Sequence, residues 1–117
     1  MSEHTGKRLE SRILETISTM IISGMIKNPH LSRFTSITEV NLSADNANAT
    51  VYVSTAEEKA LDRSVAALNS AAGFIQGHVA KVLKTRNTPR LVFRADRSFI
   101  EGEKISSLID KAMGRNE

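Results

Sequence analysis

At 117 residues, with 40% hydrophobic and 25% charged positions, the chain has the size and composition of one ordinary globular domain. It is long enough to bury a core without a covalent staple. It has no cysteine, which excludes disulfides, thiolate metal sites and thiol nucleophiles. The formal net charge of +3 is unevenly spread: residues 34–62 carry five acids against Lys59, whereas residues 74–97 carry six bases (Lys81, Lys84, Arg86, Arg90, Arg94 and Arg97) against Asp96. Clustered charge, more than total charge, is what attracts a polyanion.

The chain opens on a polar Met1-Ser2-Glu3-His4, and no run approaches membrane-spanning length, so the reading is a cytoplasmic protein with no membrane partner. Leu9, Ile13, Ile17, Met20 and Ile21 recur at helical spacing. Pro29 is expected to stop that helix, because a residue before proline is pushed out of the α region. Ile37–Leu42 and Ala49–Val53 read as two strands, the second alternating Ala49, Val51 and Val53 with Thr50, Tyr52 and Ser54. Ala44-Asp45-Asn46 supplies the turn of an antiparallel hairpin.

Thr55 with Glu58 has capping-box spacing and is expected to launch a helix with Leu61, Val65, Leu68 and Ala72 on its apolar face. Gly73 is expected to interrupt it. Ile75, Val79, Val82 and Leu83 resume the period, leaving Gly77, Lys81 and Lys84 opposite, and Pro89 is expected to end this second segment. Leu91, Phe93 and Ala95 then alternate in a third strand. Ser98 with Glu101 starts a last helix bearing Ile105, Leu108, Ile109 and Ala112, with Gly114 as its cap. The order is α-β-β-α-kink-α-β-α: an α+β domain over 7–113, with 1–6 and 114–117 as flexible termini. Helices should pack on one face of a three-stranded sheet, with Val51 and Phe93 pointing into the interface. The helical pair is long enough for a parallel crossover.

Function is read from the cations and the break. Lys81 and Lys84 share a helix face, Arg90, Arg94 and Arg97 follow on the adjoining strand, and Lys7, Arg8 and Arg12 extend the surface. As a group they suit RNA phosphate contact. Ala71-Ala72-Gly73 has two readings: a glycine that lets backbone N–H groups approach a phosphate, or a helix break where small residues allow close packing. Phe74 and Phe93 fall on apolar periods and are expected in the core, so backbone and shape recognition fit better than base reading. His4, His30 and His78 lack metal-ligand spacing, and no nucleophile, P-loop or dinucleotide signature occurs. The expectation is a non-enzyme with no cofactor and no small-molecule substrate. Two rivals stay open: a DNA-binding helix-turn-helix-like module, and a protein-interaction adaptor using the acidic hairpin.

Seven pieces in order carry a family resemblance: Arg12-Ile13, Ile26-Lys27-Asn28-Pro29, Val51-Tyr52-Val53, Ala71-Ala72-Gly73-Phe74-Ile75, Pro89-Arg90-Leu91-Val92-Phe93, Asp96-Arg97-Ser98-Phe99-Ile100-Glu101-Gly102, and the trio Ile105, Leu108, Ile109. From about Lys7 to Ala112 the chain resembles the bacterial ribosome-binding factor A family. The resemblance implies a type II KH-like fold in which Ala71 and Gly73 form an Ala-x-Gly kink. It also implies a protein that binds the immature small (30S) ribosomal subunit and its precursor 16S rRNA, assists rRNA 5′-end processing, and matters most in the cold; the chain is expected to be a monomer. Arg90 stands where relatives often have Glu, adding positive charge.

Overall fold

The computed structural model describes residues 2–84 and 87–97, with side chains from residue 7 onward. The last helix read from the sequence, with its Gly114 cap, lies outside the described residues. The elements are α1 (Ser2–Ile22), β1 (Thr35–Leu42), β2 (Asn48–Thr55), a 3-10 turn (Glu58–Ala60), α2 (Leu61–Ser70), α3 (Ala72–Leu83) and β3 (Arg90–Ala95). α1 thus starts ahead of Lys7, where the sequence reading put the domain boundary.

β1 and β2 form the expected antiparallel hairpin, and β3 joins β2 in parallel, giving the order β1-β2-β3. The hairpin turn follows from its polar residues. Asn46 takes a left-handed φ of 58°, which Asn tolerates better than most side chains. Ser43 Oγ donates to Asp45 Oδ1 (2.6 Å), which also accepts the Ala47 N–H (3.1 Å). These hydrogen bonds, Ser43 first and Ala47 second, hold the Asp45 carboxyl below its ordinary value of 3.8. One irregularity was not legible: a bulge between Ile37 and Glu39 leaves Thr38 as the extra residue in β1. It resets the alternation so that Ile37 and Val40, three apart, are both buried.

The helices cover one sheet face, α1 chiefly over β1 and α2 over β3 and β2. Ile13, Ile17 and Met20 of α1 meet Val51 and Val53 of β2, Leu61 and Leu68 of α2, Ile75 and Val79 of α3, and Leu91 and Phe93 of β3 in one core. Val51 and Phe93 are buried there, as their strand parity requires. Each such side chain contributes about 1.5–3 kcal/mol of apolar transfer. Both sheet edges are met by helix side chains. On β1 the Leu42 N–H donates to Glu10 Oε2 at 2.8 Å. On β3, Asn69 and Gln76 face the outer backbone edge. Paired edges resist intermolecular strand addition.

Four boundaries differ from the sequence reading, each for a local reason. α1 ends at Ile22, not at Pro29. Gly24 is left-handed (φ 76°), Gly24 N–H bonds Ile21 C=O (3.2 Å) and Met25 N–H bonds Met20 C=O (3.0 Å). This is a Schellman stop, which satisfies end carbonyls before proline is reached. The Thr55/Glu58 capping box does not form: Thr55 lies in β2 and its hydroxyl donates to Glu57 C=O at 2.6 Å, while the 3-10 turn has no side-chain cap. The break between the helical segments falls at Ala71 (φ −93°, ψ 6°), with Gly73 already inside α3. α3 ends at Leu83 because Lys84 turns left-handed (φ 54°, ψ 38°), five residues before Pro89.

Candidate nucleic-acid interface

α3 buries Ile75, Val79 and Leu83. At about 100° per residue this places Gly73, Gly77, Lys81 and Lys84 on the outward face, where all four are exposed. Neither glycine is needed for an unusual dihedral, and a Cβ at either position would meet nothing within 4 Å. The reading of Gly73 as a small residue that allows close helix packing is therefore corrected: its environment is open space. What the two glycines do is leave the helix backbone bare along a smooth track that ends in two ammonium groups.

The break at Ala71 prepares the start of that track. Ala71 N–H closes α2 onto Ala67 and Leu68 carbonyls (both 3.1 Å), and Ala71 C=O accepts from Ile75 N–H (2.9 Å), the first bond of α3. Ala72, Gly73 and Phe74 occupy the first turn, whose amides have no acceptor inside their own helix, and no side chain caps them. A shallow open depression lined by Gly73, Gln76, Gly77, Ala80, Asn87 and Thr88 runs beside this face. The arrangement offers donors and cations without a reading side chain, which suits a sugar-phosphate backbone.

The basic residues read as one set are not one surface. Leu91 and Phe93 are buried under the helices, so Arg90, Val92 and Arg94 project from the opposite face of the sheet, beside Tyr52, the register partner of Arg94. The physical reason is the strand period of two, which separates these arginines from Lys81 and Lys84 by the whole thickness of the core. Arg97 points elsewhere again. Its guanidinium pairs with Asp62 Oδ1 at 2.5 Å, next to the start of α2. Lys7, Arg8 and Arg12 are exposed on α1. Arg86 lies outside the described residues.

Phe74, expected in the core, is 56% exposed, and Val82, expected on the apolar face, is 45% exposed. Phe74 sits about 100° around the helix from Ile75, on the side of the glycines, which a helical wheel makes visible. It borders a cleft of about 350 Å³ lined by Met25, Ile26, Lys27, Asn28, Ser70 and Ala71. Sequence reasoning missed this cleft because its two walls lie far apart along the chain, on either side of the hairpin. Among the described residues no group of His, Asp or Glu could hold a metal ion, and no helix is long and apolar enough to cross a membrane.

Fold and site together define a small KH-like α+β module whose kinked helical pair presents bare backbone and cations. The family model for "Ribosome-binding factor A" matches residues 5–109, so the chain belongs to the ribosome-binding factor A family. It is 40% identical over 104 residues to ribosome-binding factor A of Borreliella burgdorferi, covering 88% of this chain and 87% of that one. It is 37% identical over 110 residues to that of Clostridium botulinum, covering 93% and 91%. The crystal structure of ribosome-binding factor A from Thermus thermophilus matches with a TM-score of 0.69 at 25% identity, over 80% of this chain and 97% of that one. A Thermus thermophilus homology model fitted into a cryo-EM map of a 30S–ribosome-binding factor A complex matches at TM-score 0.61 and 28% identity, over 77% and 93%.

Proposed function

We propose that this protein is a ribosome assembly factor of the cytoplasm that binds the immature small ribosomal subunit through its 16S rRNA. The relative fitted into a 30S complex supports the partner, at matching fold and 28% identity. Assistance to rRNA 5′-end processing, greatest need in the cold, a monomeric state and the absence of any enzymatic step are the finer parts of the same reading. The observation that carries it is the outward face of α3, where Gly73 and Gly77 leave the backbone open and Lys81 and Lys84 supply charge. Recognition is reversible and electrostatic, reading the shape of a phosphate chain in place of its base sequence.

Co-sedimentation with immature small subunits across a salt series tests this. Log affinity should fall linearly with log salt, and neutralising Lys81 and Lys84 together should reduce the slope by about 1.4, at roughly 0.7 per phosphate contact on single-stranded RNA. Gly73→Asp sets a carboxylate at the start of α3, where an added Cβ meets nothing within 4 Å, and should lower binding at least about tenfold, one decade being 1.4 kcal/mol, while the protein stays folded. A flat salt response, or wild-type binding by the Gly73→Asp variant, would remove α3 from the interface.

A further inference from the structure

We propose that the cleft beside the kink holds one unstacked nucleobase of the bound RNA, with Phe74 as its stacking platform. This rests on the RNA-binding reading above and names a contact that reading does not require. The cleft joins two segments distant in sequence, the 25–28 stretch that follows the α1 stop and the 70–74 stretch across the Ala71 break. Its lining combines apolar side chains (Met25, Ile26, Ala71 and Phe74) with polar ones (Lys27, Asn28 and Ser70).

Phe74 and Met25 present exposed apolar surface, 56% and 36%, while Ile26 is buried behind them. An aromatic ring left half in water at the mouth of a cavity is unusual, because Phe ordinarily gains by full burial. Stacking on a heterocycle restores that burial, and a flexible thioether such as that of Met25 adapts to a flat ring. Asn28 is pinned by its own turn: Oδ1 accepts the His30 N–H at 2.9 Å and its backbone carbonyl accepts the Leu31 N–H at 3.1 Å. Its Nδ2 makes no hydrogen bond among the described residues and is left to donate to a base acceptor, and Ser70 adds a second polar residue to the lining. Lys27 is exposed and, among the described residues, no acid lines the cavity, so the charge complements a nucleotide phosphate. At about 350 Å³ the cavity is at the small end of ligand pockets. It suits one flat ring, not a peptide helix.

The test uses the full chain with two probes, purified immature small subunits and a short single-stranded oligouridylate. Phe74→Leu should weaken binding to both by about tenfold, whereas Phe74→Tyr should bind like the parent. Neither should lower the thermal midpoint by more than a degree or two, since Phe74 is already half in water. After ultraviolet irradiation of the subunit complex, the peptide containing Phe74 should carry a nucleotide mass. If Phe74→Leu binds as the parent does while loss of Lys81 and Lys84 weakens binding, the cleft assignment falls and the RNA reading stands. If the peptide containing Phe74 cross-links to a ribosomal protein instead, the occupant is a protein side chain and the proposal is overturned. If the parent protein binds neither probe in low salt, both readings fail together.

Discussion

The carboxamide of Asn69 is bonded to both backbone groups of Phe93: Nδ2 donates to the Phe93 carbonyl at 3.0 Å and Oδ1 accepts the Phe93 N–H at 2.9 Å. A helix side chain thus imitates a neighbouring strand along the free edge of β3. Asn69→Asp keeps the acceptor but sets a carboxylate against a carbonyl, and Asn69→Ala leaves both groups unpaired. Each should lower stability by about 1–3 kcal/mol, with Asp the worse at neutral pH. Urea unfolding gives the order of the variants, and light scattering should show increased association as the edge is uncovered.

Gly24 makes the C-terminal stop of α1 with a φ of 76°, and a Cβ added there would meet nothing within 4 Å. Substitution is free of clash, so its cost is purely conformational. Gly24→Ala should destabilise by about 1 kcal/mol, and Gly24→Asn by less, since Asn visits the left-handed region more readily. Equal losses for the two variants in chemical denaturation would contradict this account.

Lys84 caps α3 in a conformation that favours glycine. Lys84→Gly removes the left-handed penalty but also a cation beside the last carbonyls, so the net gain should be about 0.5 kcal/mol. The thermal midpoint should rise by roughly 2–4 °C, while the salt dependence of RNA binding becomes shallower by about 0.7. Stability and affinity are expected to move in opposite directions in this one variant.

Asp45 ties the hairpin turn through Ser43 and Ala47, and its folded pKa lies below the ordinary 3.8. A depressed carboxyl contributes stability that is complete above the unfolded value and is lost as pH falls through the folded one. The stability difference between the parent and Asp45→Asn should therefore be constant from neutral pH down to about 3.8 and shrink below it. Urea midpoints of the two proteins over that range measure the difference directly.

Element types and topology were legible because Ile13, Ile17, Met20, Val51, Val53 and Phe93 obey the periods of 3.6 and 2 without conflict. Helix ends were less so. Three were tied to a Pro or to a capping box, whereas Gly24, Lys84 and Ala71 end or begin the helices through backbone dihedrals. The candidate interface was half legible. Gly77, Lys81 and Lys84 on one face followed from helical spacing, but grouping them with Arg90 and Arg94 ignored that buried neighbours on β3 force those arginines to the far side. Phe74 was misplaced because an apolar residue beside Ile75 was taken as part of its stripe, although the helix turns it about 100° away.

The parallel return of β3 to β2 has a consequence for when the binding face exists. The hairpin can assemble from neighbours in sequence, but β3 must wait for the whole 56–89 stretch to bend at Ala71 and come back. Such distant pairing forms late and is lost as a unit. α3 shares the core with β3 through Ile75, Val79, Leu91 and Phe93, so in a hydrogen-exchange experiment its amides should open together with those of the third strand. A partly melted molecule would keep its hairpin and yet have no track to offer a phosphate chain.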